Sequence, residues 1–270
     1  MGSIAKSLLV KPGGKFKLSS IDAGATPGVS TKTEALKRTA KHLERLSELQ
    51  YRLYAEAKRS LLIVLQGIDA GGKDGTIRHV MDAFNPLSTE VTAFKAPDGV
   101  ERRHDYLWRV HKVLPESGQI GIFNRSHYEE VLIVRVHDLV PEETWKKRYR
   151  HINEFERMVT DSGTTILKFF LYISKDEQKA RFEQRLADPT KNWKFSTNDL
   201  KEREHWDDYM TAFEDALTKC STDYAPWYLV PANKKWYRNL AISEIIAETM
   251  EGMNLKFPKM KVDPAAVRID

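Results

Sequence analysis

The stretch GIDAGGKDGT, residues 67–76, concentrates groups that bind and move phosphate. Gly67, Gly72 and Lys73 fit the spacing G-x-x-x-x-G-K-[ST]. In that pattern a glycine-rich backbone turns its N–H groups onto phosphate oxygens, and the lysine adds a point charge. Gly71 and Gly75 let the same stretch turn tightly. The position expected to carry a metal-binding hydroxyl is Asp74, and a second acid, Asp69, lies inside the loop. Carboxylates in a phosphate cradle make sense when the phosphate arrives with metal, because Mg²⁺ takes oxygen ligands from carboxylates and phosphates together. Asp69 is therefore read as a metal anchor that also orients an attacking phosphate. Asp74 falls in the first helical turn, where a negative charge complements the macrodipole.

A second group follows the apolar run IGIF (120–123): Asn124, Arg125 and Ser126, with Glu129 and Glu130 close behind. Ordinary phosphate-loop enzymes bring a metal-positioning acid from a later strand; here an amide, Asn124, takes that place. The planar fork of Arg125 suits bidentate contact with phosphate, the alternative being an ion pair with one of the glutamates. The polar segment 175–196 carries Arg181, Arg185, Lys191 and Lys194. It reads as a lid that carries cations over a transferring group, or as an exposed helix with Asp176, Glu177 and Glu183 as i,i+4 partners.

The elements that must position these groups follow from hydrophobic patterning. Residues 1–30 are rich in Gly, Ser and Lys and read as a loosely structured arm. Thr31 to Glu34 forms a capping box, and the stripe Leu36, Ala40, Leu43, Leu46, Leu53, Ala57 predicts a helix to near Lys58. Five solid apolar runs then alternate with amphipathic ones: 61–66, 91–94, 120–123, 166–173 and 227–232. Continuous apolar strands separated by helices predict a parallel sheet covered on both faces, with ligands at the carboxyl ends of its strands. Every run is followed by a stretch containing Lys or Arg, including Lys194 in the lid segment and Lys234 after the fifth run.

Bulk properties narrow the classes. A chain of 270 residues, 41% hydrophobic, is expected to hold one α/β domain over 31–270 behind the arm. Net charge +5 and pI near 9.0 suit an anionic partner. Zinc-finger, RNP and basic-arm patterns are missing, so nucleic acid is not the expected partner. No run reaches the ~20 apolar residues of a membrane span, and the N-terminus lacks a signal-peptide core. Lys6 breaks the acylation pattern that Gly2 would open, and a single cysteine, Cys220, excludes an intrachain disulfide. A cytoplasmic location is expected. Cys220, Met158, Met210, Met250 and the six tryptophans are read as core or interface packing.

Together GIDAGGKDGT, DYLWRVH, FNRSHYEEVL, RFEQRLADPTKNWKF and YAPWYLVPANKKWYRN resemble the polyphosphate kinase 2 family, across roughly residues 30–255. The resemblance implies a P-loop kinase-like three-layer α/β/α sandwich with a central parallel five-stranded sheet and a helical lid at 175–203. It implies transfer of the terminal phosphoryl group of inorganic polyphosphate to adenine nucleotides, with guanine nucleotides as further candidates, using Mg²⁺ or Mn²⁺. Asp69 and Lys73 match the family's loop acid and lysine, Arg125 the arginine after the third strand, Arg135 a second phosphate-contacting arginine, and Arg181 the lid arginine. Gly71, Gly72, Asp74, Gly75, Lys194 and Lys234 join the phosphate-binding set. Asn124, Arg125 and Glu129 are the nucleotide set, and Asp69 with Asn124 the metal set. Asn124 departs from the family's commoner Asp, and Glu130 stands where many members carry Arg. FNRSHYEE is similar to the subgroup accepting both AMP and ADP, and the family assembles as dimers and tetramers. Two alternatives remain at the level of sequence: an ATP-dependent nucleoside-monophosphate kinase, and a non-catalytic polyanion-binding protein on a kinase scaffold.

Overall fold

In the computed structural model, which describes residues 2–262 and 267–268, the chain starts with α1 (Ser3–Leu8) rather than a loose arm. Residues 1–30 are corrected accordingly. Ile4, Leu8, Val10 and Leu18 are buried, Leu9 bridges Tyr228, and the Val10 N–H donates to the Trp227 carbonyl at 2.9 Å. The small apolar residues interspersed among the glycines and lysines are few, but they are the ones that seal the sheet edge beside Trp227 and Tyr228. An uncovered edge would present unpaired backbone groups to solvent.

The Thr31 hydroxyl caps α2 (Lys32–Glu56) by accepting from the Glu34 N–H at 3.2 Å. β1 (Ser60–Gln66) is buried at every position, as a central parallel strand requires. The phosphate loop leads into α3 (Lys73–Val80), followed by β2 (Thr89–Ala93), the short α4 (Trp108–His111) and β3 (Ile120–Asn124). Then come α5 (Ile133–Val136), α6 (Glu142–Asp161), β4 (Thr164–Tyr172), α7 (Lys175–Ala187), α8 (Thr197–Glu204), α9 (Trp206–Cys220), β5 (Trp227–Pro231) and α10 (Lys235–Gly252). The 175–203 segment is thus two helices, α7 and α8, joined by a turn.

The five strands are parallel in the order β2-β3-β1-β4-β5. Their alternating side chains feed two cores. Leu61, Ile63 and Leu65 of β1 face α1, α2 and α10, whereas Leu62 and Val64 face α6 and α9. This is a three-layer α/β/α sandwich. β2 is an edge strand with half its surface exposed, which its apolar sequence did not announce. Met250 is buried, but Met158 and Trp193 are 48% and 74% exposed, correcting their reading as packing residues.

On the α6–α9 side, a fully buried polar cluster ties the layers together. The Lys168 ammonium on β4 pairs with the Glu156 carboxylate on α6 and donates to the Tyr128 hydroxyl and the Cys220 carbonyl. The Tyr128 hydroxyl donates to Glu156 at 2.9 Å, and the His127 imidazole lies 3.3 Å from the same carboxylate. Such a cluster fixes the segment that follows Arg125, because every member depends on the others for its hydrogen bonds.

Candidate active site

Because the strands run parallel, the loops after β1, β3, β4 and β5 all emerge at one edge of the sheet. The Gly67 backbone passes so close to β4 that an added Cβ would meet the Leu171 carbonyl at 2.9 Å. Gly72 takes φ +107°, a conformation that permits only glycine easily, and serves as N-cap of α3. Ala70 and Arg125 also have positive φ, 60° and 63°. Non-glycine residues held there carry strain, which concentrates at functional sites.

Lys73 is buried, and its ammonium donates to the carbonyls of Gly67 at 2.6 Å and Ile68 at 3.2 Å. Burial pushes its pKa down, with Arg125 adding to the effect. Asp69 and Arg125, from the loops after β1 and β3, meet in an ion pair with Nη2 to Oδ1 at 2.8 Å. Burial opposes the Arg125 charge, but Glu129 and Asp69 more than restore it. Glu129 lies 4.0 Å from Arg125, and its own carboxyl is pushed upward by desolvation. Asn124 donates to Asp74 Oδ1 at 3.0 Å, and Lys194 approaches Asp74 at 3.8 Å.

Two cavities open on this constellation, and Arg125 and Glu129 line both. One, of about 200 Å³, lies between Asp69 and α8, with Asp199, Glu202 and Tyr209 on its far wall. Burial raises the Asp199 carboxyl, and the charge of Asp69 adds to it. The other, of about 580 Å³, is walled by Phe94, Tyr106, Val134 and Arg148 and has Glu130 on its lining. Glu130 is held by Arg148.

Several sequence-derived site residues lie elsewhere or are already engaged. Arg135 pairs with Asp215 at 2.6 Å, lies over Trp145 and lines neither cavity. Arg181 is buried and spends its guanidinium on the carbonyls of Ala70, Gly71, Ala232 and Asn233 and on Glu177. It braces the loop against the start of α10. The other lid cations are also paired: Arg185 with Asp199, Lys191 with Asp188. Lys234 is the exposed N-cap residue of α10. Arg238, absent from the sequence-derived set, is buried against Gly72 and Gly75. Its signal in the sequence is an arginine one turn into an otherwise apolar helix.

Oxygen donors suited to Mg²⁺ gather at the ends of β1 and β3. Asn124 uses its amide nitrogen on Asp74, which leaves its Oδ1 free beside carboxylates. Among the described residues no group of three or more His, Cys, Asp or Glu forms a dedicated metal cage. That fits a cation held by one or two protein oxygens and by substrate phosphates.

A parallel sheet with a glycine loop, buried lysine and paired Asp69–Arg125 at its carboxyl edge defines a P-loop kinase-type phosphotransferase. Residues 29–258 match the family model described as polyphosphate kinase 2, and the chain belongs to that family. It is 52% identical to the AMP/ADP-polyphosphate phosphotransferase of Meiothermus ruber, over 94% of this chain and 96% of that protein. It is 45% identical to the ADP-polyphosphate phosphotransferase of Rhodopseudomonas palustris, over 94% of this chain and 92% of the relative. The crystal structure of polyphosphate kinase 2 from Arthrobacter aurescens TC1 superposes with a TM-score of 0.95 at 45% identity, covering 98% of this chain and 95% of that one.

Proposed function

We propose that this protein transfers the terminal phosphoryl group of inorganic polyphosphate to AMP and to ADP, reversibly, giving ADP and ATP. The observation that carries the reading is the Asp69–Arg125 pair at the mouth of the phosphate loop, shared with a cavity of about 580 Å³, in a chain so similar to an AMP/ADP-polyphosphate phosphotransferase. The loop amides and Lys73 hold the donor chain. The larger cavity, with Phe94 and Tyr106 on its wall, has the size and aromatic character for a nucleoside. Asn124, Arg125 and Glu129 face the phosphates of that nucleotide.

In the transfer, a terminal oxygen of the nucleotide phosphate forms a bond to the end phosphorus of the chain. The bridging P–O bond to the next phosphate breaks in line, and the shortened chain leaves with the electron pair. Asp69 orients the attacking phosphate, and Arg125 changes partner from Asp69 to the equatorial oxygens, where charge must be offset. Asp69 and Asn124 would hold Mg²⁺, or Mn²⁺ in its place, which neutralises charge between the two polyanions. The proposal extends to a homodimer or homotetramer in the cytoplasm. No helix among the described residues is long and apolar enough to cross a membrane.

The test is a donor–acceptor matrix: AMP or ADP, with polyphosphate or ATP, in the presence of Mg²⁺. ADP and ATP formed from AMP with polyphosphate alone is the expected result. Transfer from ATP only would make the protein a nucleoside-monophosphate kinase. No transfer by folded protein would leave a polyanion-binding scaffold.

A further inference from the structure

Two helix N-termini converge beside the phosphate loop. α3 begins at Lys73 and α10 at Lys235, and Arg181 joins them by bonding the carbonyls of Ala70 and Gly71 on one side and of Ala232 and Asn233 on the other. α10 has neither a capping side chain nor an acid in its first turn. Among the described residues, the N–H groups of Lys235 and Trp236 find no protein acceptor. The first residues of α10 instead add cations to the positive end of its macrodipole, the unfavourable arrangement when nothing negative is bound.

Arg238 sharpens this. It is 2% exposed, yet no carboxylate of the described residues pairs with it. Nε and Nη2 bond the Oδ1 of Asn239 at 3.1 and 2.8 Å, and Nη1 has no hydrogen-bond acceptor. Nη1 is turned toward the loop: a Cβ on Gly72 would lie 2.1 Å from it, and a Cβ on Gly75 would lie 3.1 Å from Nη2. Burial, with Arg181 alongside, pushes the guanidinium down to about 10. Burial likewise lowers Lys235, with Arg181, Arg238 and Lys191 contributing. A buried cation without a counter-charge is costly to fold. The charge is offset when an anion arrives from outside.

We propose that Nη1 of Arg238, the free N–H groups at the start of α10 and the Lys235 ammonium form an outer anion subsite that holds the phosphate chain beyond the phosphoryl groups seated in the loop. This rests on the reading of polyphosphate as donor. A nucleoside triphosphate seated in the loop would bring an uncharged sugar or base to this place, which leaves Arg238 without a counter-charge. A chain with an anion at every unit supplies one. The subsite makes and breaks no bond; it sets affinity for long donors.

The test compares wild type with Lys235→Ala, Arg238→Met and Arg238→Lys in the phosphorylation of AMP. Two quantities are read: KM and kcat for long-chain polyphosphate, and Ki for pyrophosphate as a competitor too short to leave the loop. Lys235→Ala and Arg238→Met are expected to raise KM for the long donor by about tenfold or more, the loss of a charge-assisted bond, with kcat unchanged. Ki for pyrophosphate should stay at the wild-type value in Lys235→Ala, and Arg238→Lys should recover part of the loss. An equal loss on both ligands, or an unaltered long-chain KM in Lys235→Ala, overturns the subsite and leaves Arg238 as packing behind Gly72. Lys235 is exposed, so its variant decides the matter even where Arg238→Met does not fold. Wild type that uses no polyphosphate would instead sink the functional reading, before any variant is compared.

Discussion

Replacing Asp69 with asparagine separates catalysis from stability. The carboxylate accepts from Arg125 at 2.8 Å, and the two side chains are 27% and 36% exposed. An ion pair this open to solvent contributes about 0–1 kcal/mol. Asparagine keeps the size and one acceptor oxygen. At about 2–4 °C per kcal/mol for a large domain, the melting midpoint should fall by no more than about 4 °C. The chemical cost is larger. Asp69 loses the charge that orients the attacking phosphate and anchors its cation, and removing one preorganised electrostatic group from a site of this kind costs roughly 10²–10³ in kcat. ADP formed from AMP and polyphosphate, quantified by anion-exchange chromatography, gives the rate; scanning fluorimetry gives the midpoint. Activity within about tenfold of wild type, a loss of only ~1.4 kcal/mol, would refute the role given to Asp69. A midpoint that collapses together with activity would refute the separation.

Two further expectations concern the interior. Glu156→Gln leaves the Lys168 ammonium buried without its counter-charge, so stability in urea should fall by about 3–5 kcal/mol, with the paired variant Glu156→Gln, Lys168→Met losing less than the single one. A single-variant loss below about 1 kcal/mol would show that the pair is not the anchor of its layer. Burial pushes the Cys220 thiol up to about 12, so iodoacetamide at neutral pH should leave the folded protein unlabelled and label it fully in urea; rapid labelling of the native protein would contradict its burial.

The strands and the phosphate loop were legible because their signals are contiguous. An uninterrupted apolar run such as Leu61–Leu65 has one favourable fate in a chain that alternates with amphipathic helices. The glycines around Lys73 define a backbone path by local sterics alone. Arg125 was found for the same reason: it directly follows an apolar strand, and strand ends are where ligands bind.

The partners of the charges were not legible, since each depends on which strands become neighbours. The order β2-β3-β1-β4-β5 puts the loop after β1 next to the residue after β3, so Asp69 meets Arg125 from 56 positions away. It also puts the loop one strand from the start of α10, so Arg181 bridges the two and Arg238 is trapped behind Gly72. Arg135 carries the same charge on a helix that faces Asp215, and is spent there. The edge position of β2 and the burial of residues 3–10 against β5 likewise follow from sheet order. The sequence alone determined which groups can bind phosphate, because charge and backbone freedom belong to individual residues. Tertiary structure decided which of them face it, because a charge is available to a ligand only where folding has not already supplied its counter-charge.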